Sequence, residues 1–247
     1  MARAAPDGYT LFIAASGSHS IMPLLMPKLG YDIHRDFAPI SLVSLSPQLM
    51  VVHPSLPVRS VADMIKLARA QPGQLNFGSG GTGTPPHLAG EMFQQMAGVR
   101  LTHVPYKGEA PGITDLVGGQ LSVMFSNAVA VLPQVQSARL RGIATTSATR
   151  IPSLPQYPTI AESGLPGYAS DSWFRLVSTA GTPAEVIARL HADSVRSLSQ
   201  PEVRERLSSD GIAPNSLDAA AFTAFMQKEI DRWAPIARRV AQTQPEK

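Results

Sequence analysis

Apolar residues along the chain recur with two periods, and the change from one to the other marks out the elements. The run Tyr9 to Ala15 reads as a strand and is followed by a small polar turn, Ser16-Gly17-Ser18-His19-Ser20. Two more strand-like stretches, Pro39 to Leu45 and Gln48 to His53, end at the turn Pro54 to Pro57. Ser60 caps a helix over Val61 to Ala70, with Asp63 at its third position and Val61, Met64, Ile65 and Ala68 on one face, before Pro72-Gly73 stops it. Short strands then alternate with helices: strand 75–78, helix 85–97, strand 100–104, helix 110–117, strand 121–126, helix 129–138 and strand 141–146. That alternation predicts βαβ units on a parallel sheet.

Thr149 to Tyr168 is proline-rich and aperiodic, which favours a crossing between domains. Beyond it come a strand, Trp173 to Thr179, and a helix, Ala184 to Leu198, for which Thr182 is the expected cap, Pro183 the first turn and Glu185 the partner in a capping box. A short helix, Pro201 to Ser209, precedes a long amphipathic one, Asp218 to Val240, with a kink expected at Pro235.

Composition narrows the class. The chain has 247 residues, 44% of them apolar and 16% charged, which suits a globular protein of one large or two modest domains. It has no cysteine, so disulfides, thiolate ligands and a cysteine nucleophile are excluded together. The net charge is +3, and the 21 basic residues are dispersed, which makes nucleic acid a poor partner. Pro, Gly, His or charged residues interrupt every apolar stretch that approaches the length of a membrane span.

The sharpest motif is Gly78-Ser79-Gly80-Gly81-Thr82-Gly83-Thr84-Pro85-Pro86-His87, between a strand and a helix. Its spacing matches G-x-G-x-x-G. Yet the helix opens through two prolines, no acid follows at the end of the next strand, and no Gly-Lys-Ser/Thr makes it a P-loop. What survives is physical: glycines let backbone approach a ligand, a helix amino terminus suits an anion, and Ser79, Thr82 and Thr84 add hydroxyls. The alternative is a tight turn in which Thr84 merely caps the helix. The six histidines show no helical metal spacing and no G-x-S-x-G elbow occurs, so neither a metal nor another cofactor is expected. His103-Val104-Pro105-Tyr106-Lys107-Gly108 lies at a strand's carboxyl end, where open α/β sheets bind ligands. There Lys107 could neutralise an anion and Tyr106 present a hydroxyl or a ring. Phe125-Ser126-Asn127 and Ser170-Asp171-Ser172-Trp173 hold comparable positions, Trp173 reading equally as core.

Several ordered strings resemble one family. They are Ala5-Pro6-Asp7-Gly8-Tyr9-Thr10-Leu11, Pro86-His87-Leu88-Ala89-Gly90-Glu91, His103 to Gly108, Asp115-Leu116-Val117-Gly118-Gly119-Gln120, Pro158-Thr159-Ile160-Ala161-Glu162-Ser163-Gly164 with Pro166-Gly167-Tyr168, and Pro201-Glu202-Val203-Arg204. Together they resemble the Bug family, the substrate-binding receptors of tripartite tricarboxylate transporters.

The resemblance implies an α/β, two-lobe periplasmic binding protein type II fold with two crossing hinge strands, and no catalysis. Lobe I would comprise 1–52 plus 173–247 and lobe II 53–172. The implied ligand is a small organic acid, a dicarboxylate, tricarboxylate or aromatic carboxylate, passed by a monomeric receptor to membrane transporter subunits. The family pocket maps onto Ser16, Ser18, His19, Ser79, Gly80, Gly81, Thr82, Gly83, Thr84, Tyr106, Lys107, Ser126, Asn127, Asp171 and Trp173.

Two departures stand out. The family usually opens with a signal peptide and a first βαβ unit, whereas Met1 falls where the next strand is entered; exposed sheet edge and low stability or weak binding are expected from that. Ser126 stands where relatives commonly carry aspartate, which suggests a plain dicarboxylate or aromatic acid over an amino-bearing one. A regulator's effector-sensing domain, a non-binding fragment and an enzyme acting on an anionic substrate are the rival readings.

Overall fold

In the computed structural model, which describes residues 2–26, 29–214 and 219–243, the first apolar run forms strand β1 (Leu11–Ala15). The polar residues after it do not make a simple turn. Gly17–Ile21 wind into a π-helical turn that runs on into α1 (Met22–Leu25). Side chains stabilise this: Ser18 Oγ donates to the Ala15 carbonyl at 3.0 Å, and Tyr31 Oη donates to the Ser18 carbonyl at 2.7 Å.

The two stretches on either side of Pro47 form one strand, β2 (Phe37–Val52). Proline's φ suits extended backbone, so only its missing N–H has to be accommodated. Pro47 falls between Ser44-Leu45, which pair with a later strand, and Gln48–Val52, which pair with another. The chain divides into two units, Met1–Leu45 with Ser172–Lys247, and Ser46–Asp171, so the first boundary lies inside β2.

The second unit follows the predicted alternation closely. Its elements are α2 (Val61–Ala70), β3 (Asn76–Ser79), α3 (Pro85–Ala97), β4 (Thr102–Pro105), α4 (Glu109–Val117), β5 (Val123–Asn127), α5 (Ala128–Gln136) and β6 (Arg141–Thr145). Ser60 caps α2 as expected, its Oγ accepting from the Asp63 N–H at 3.1 Å. The strand order is β6-β2-β5-β3-β4. β5, β3 and β4 pair in parallel, whereas β2 runs antiparallel to both β5 and β6, so β2 alone opposes the other strands and the sheet is mixed rather than parallel throughout. Leu49, Val51, Leu116, Met124, Val131 and Leu140 fill the core on one face.

Residues 149–168 are part of this unit and do not cross between units. The Thr145 N–H donates to Pro158 O at 2.8 Å and the Ile160 N–H to Thr145 O at 2.9 Å, laying the segment along β6. Its Ile151 and Leu154 join the core cluster, and Ile160 and Tyr168 are buried.

The first unit is completed by β7 (Asp171–Thr179), α6 (Ala184–Leu198), α7 (Pro201–Ser209), β8 (Ala213–Pro214) and α8 (Ala219–Thr243). β1 pairs antiparallel with β7, β7 neighbours β2, and β2 pairs antiparallel with β8. β1 is the sheet's outer strand and exposes Leu11, Phe12 and Ile13, while the preceding Tyr9 is 92% exposed. The capping box at α6 does not form: Pro183 is the N-cap, and Thr182 Oγ1 donates instead to Thr179 O at 2.8 Å. Asp218 lies outside the described residues, and α8 continues through Pro235. Among the described residues no helix is long and apolar enough to cross a membrane.

One packing contact fixes how closely α3 lies against β3. A Cβ at Gly90 would lie 2.3 Å from Cε2 of the Phe77 ring, so only glycine lets α3 lie this close to β3. We expect Gly90→Ala to lower stability by about 1–3 kcal/mol, the usual cost of overpacking a core. Urea denaturation checks this; an unchanged midpoint would mean that the contact relaxes without cost.

Candidate functional site

Because β5, β3 and β4 are parallel, their carboxyl ends share one edge of the second unit's sheet. That edge gathers Ser79 to Thr84 after β3, Tyr106 and Lys107 after β4, and Ser126 and Asn127 at the end of β5. The β3–β4 ladder continues past both strands: the Tyr106 N–H donates to Ser79 O at 3.0 Å and the Gly108 N–H to Gly80 O at 3.1 Å. Gly80 permits this approach, since a Cβ there would meet Glu109 N and Cγ at 3.3 Å. Gly81 and Gly83 take φ of +127° and +78°, values that side-chain-bearing residues avoid.

The turn closes on the Gly81 carbonyl, which accepts from Thr84 Oγ1 at 2.7 Å and Ser79 Oγ at 3.1 Å. Two histidines brace it. Ser79 Oγ meets His103 Nε2 at 2.7 Å, and the Gly83 N–H donates to His87 Nδ1 at 3.2 Å. The His87 and His103 rings stack with centroids 4.0 Å apart, and Phe77 stacks on both. Since His87 Nδ1 accepts, its proton sits on Nε2, 3.8 Å from Glu91 Oε1. Glu91 favours a charged ring, but burial outweighs it and lowers the His87 pKa to about 3, helped by His103. Burial lowers His103 to about 4. Neither pairing could be read from spacing, because the contact arises from the Phe77↔His103 register and the placement of α3.

The amino terminus of α3 is a weaker anion site than its sequence suggests. Pro85 and Pro86 contribute no N–H, and the Thr84 hydroxyl points back to Gly81 O instead of capping. Thr82 is exposed. Tyr106 Oη is engaged with Asp115 Oδ2 at 2.7 Å, and burial with that contact raises its pKa to about 12. Lys107 is exposed and, among the described residues, forms no ion pair.

An acid that the sequence did not point to occupies this edge. Glu109, the first residue of α4, accepts from Ser126 Oγ and from Asn127 Nδ2 in short contacts, and from the Asn127 N–H at 3.0 Å. The expectation that Ser126 leaves the edge without an acidic group is therefore corrected. Seventeen residues separate Glu109 from Ser126, so no local motif could announce the contact.

The remaining candidates are held within their own units. Asp171 Oδ1 accepts from Ser147 Oγ at 2.6 Å in the second unit. In the first, Trp173 is fully buried with Leu42 and Met226, and its backbone N–H donates to Ser16 Oγ at 3.5 Å. Ser18 and His19 line a cavity of about 420 Å³ with Phe12, Tyr31 and Phe37. His19 Nδ1 meets Ser18 Oγ at 2.9 Å, and burial, with Arg175, lowers its pKa to about 3. Ser16, His19 and Trp173 thus pack and hydrogen-bond inside the unit. No group of His, Cys, Asp or Glu among the described residues could hold a metal ion.

Comparison with known proteins supplies the context. Residues 1–241 match the family described as tripartite tricarboxylate transporter family receptor. Protein BugT of Bordetella pertussis is 33% identical over 238 residues, 96% of this chain and 73% of its own. Among solved structures, R. palustris Rpa4515 with adipate is 36% identical, with a TM-score of 0.90 over 98% of this chain and 80% of that one. MatC (Rpa3494) from Rhodopseudomonas palustris with bound malate is 29% identical, with a TM-score of 0.82 over 96% and 81%. The α/β binding-protein fold and the resemblance to Bug proteins are both met.

The braced turn makes stability depend on acid in a definite direction. His87 and His19, each at most 2% exposed, stay neutral in the fold to about pH 3, whereas in the unfolded chain they charge near pH 6.5. Their neutral burial is compatible with full stability above that value and is increasingly penalised as the pH falls from 6.5 toward 3. Each contributes a slope of up to about 1.4 kcal/mol per pH unit in that window. Urea midpoints at pH 7.5, 6 and 5 are expected to fall with pH, and His87→Gln to flatten the fall by one such increment. A pH-independent midpoint would refute the assignment.

Proposed function

This chain belongs to the tripartite tricarboxylate transporter receptor family, and from that premise we propose that it captures a small organic acid in the periplasm and passes it to the membrane subunits of such a transporter. Its likeness to an adipate-holding receptor carries the reading. The edge built from Ser79 to Thr84, Lys107, Ser126 and Asn127 is the surface of the second unit that meets the ligand. Thr82 presents a hydroxyl, and Lys107 supplies positive charge without a partner to neutralise it among the described residues.

The chemistry of this edge suits retention rather than turnover. A general base must stay within reach of a substrate proton and titrate near the working pH. His87 and His103 are instead buried behind the turn with pKa values near 3 and 4, and Ser79 Oγ is tied to Gly81 and His103. The groups left at the front are the Thr82 hydroxyl and the Lys107 ammonium, which hold a carboxylate without altering it, beside a Glu109 carboxylate fixed by Ser126 and Asn127.

Titration of the purified chain with adipate, malate, succinate, citrate, L-aspartate and L-glutamate, read by thermal shift and calorimetry, tests this. A ligand supplied at about 100 times its Kd adds about 2.7 kcal/mol to unfolding, so a clear rise in Tm is expected for at least one acid. Lys107→Ala is expected to weaken binding about tenfold, by removal of a charge-assisted hydrogen bond. No rise with any acid would sink the receptor reading.

A further inference from the structure

The Glu109 carboxylate is held by donors from one side only. Ser126 Oγ and the Asn127 N–H both donate to Oε2, and Asn127 Nδ2 donates to Oε1. A carboxylate offers about four acceptor positions, so one on Oε1 stays open. The contact from Nδ2 also fixes the amide's orientation and turns Asn127 Oδ1 away from Glu109. That oxygen is buried and has no hydrogen-bond partner among the described residues. An open position on Glu109 Oε1 and the Asn127 Oδ1 atom, on two residues joined by the Nδ2 contact, therefore lack a donor among the described residues.

Charge points the same way. Among the described residues no lysine or arginine forms an ion pair with Glu109, and Lys107, two residues before it, is exposed and unpaired. A half-buried carboxylate with no cation attracts one, and it repels a second carboxylate brought to the same end of the site. The carboxyl end of β5 is thus unsuited to either end of a plain diacid. It suits a group that brings N–H donors and positive charge together.

We propose that Glu109 and Asn127 Oδ1 form an acceptor subsite that selects, among small organic acids, those bearing a protonated amino group. This rests on the receptor reading and specifies its ligand class. The acid end of such a ligand meets the glycine-rich turn and Lys107, and its ammonium group meets Glu109 and Asn127. Glu109 is then a specificity-determining residue whose three donors lock it in the accepting position.

Matched acids differing only in the amino group provide the test: L-aspartate against succinate, and L-glutamate against glutarate, titrated calorimetrically into the purified chain at neutral pH. The amino-bearing member of at least one pair is expected to bind at least about tenfold tighter, as a charge-assisted hydrogen bond implies. Glu109→Gln should abolish or reverse that preference while the protein still melts cooperatively. Asn127→Ser, which deletes Oδ1 but keeps the backbone N–H on Glu109, should reduce it roughly threefold. The comparison in the unaltered chain stands even if a variant fails to fold. Binding without an amino preference, or a preference that survives Glu109→Gln, overturns this inference alone. Absence of binding by every acid overturns the receptor reading and this inference with it.

Discussion

Much of the second unit depends on how closely two stretches of backbone can approach each other beyond the ends of β3 and β4. The ladder does not stop at Ser79 and Pro105 but continues through the Tyr106 and Gly108 N–H groups to Ser79 O and Gly80 O. Side chains would prevent it, because a Cβ at Gly80 or Gly81 would press against the backbone of residues 106 to 109. Once the approach is made, Glu109 is delivered to the end of β5 and the first turn of α4 is anchored there. Gly90 and Phe77 set α3 against the same strand, so both helices that flank the edge are placed by contacts that exclude larger residues.

The histidines behind the turn add stiffness without adding chemistry. A protonated His87 would carry a hydrogen on Nδ1 and lose the bond from the Gly83 N–H, so the bracing exists only while the ring is neutral. Stacking against His103 and Phe77 keeps it so, because a second ring and an apolar one exclude the water that would solvate a charge. This matters for a receptor more than for an enzyme. Binding small acids through backbone and hydroxyl donors depends on those donors being held in place beforehand, since the entropy of ordering a loose glycine turn would offset the few hydrogen bonds gained.

What the sequence made legible was periodic. The α/β alternation from Val61 to Thr145, the cap at Ser60 and the glycine-rich strand-to-helix turn all follow from local patterns that the fold respects. Where the fold departs from those patterns, the deciding contact is one that periodicity does not show. Thr182 is the expected cap of α6 and capping is one of two readings for Thr84, yet each hydroxyl donates backward to the carbonyl three residues before it. Pro39 to Leu45 and Gln48 to His53 read as two strands, yet one extended strand accommodates Pro47 where the pairing partner changes. Residues 149–168 lacked a period because they pack as single anchors, Ile151, Leu154 and Ile160, rather than along one face.

The treatment of Ser126 shows the limit most clearly. Read along the chain, a serine is the absence of an acid, and ligand preference seems to follow from that absence. In the fold the same hydroxyl is a donor that fixes an acid reaching across from α4. Electrostatics at a site is set by where charged atoms end up, and a carboxylate delivered from Glu109 acts on a ligand as one carried by β5 would. Its strength as an acceptor is then governed by its neighbours. Donors from Ser126 and Asn127 restrict its rotation, which leaves it oriented, with no cation paired to it among the described residues. Substituting one polar residue for another at the end of β5 therefore does not remove a charge from this edge; it changes which element the charge is delivered from.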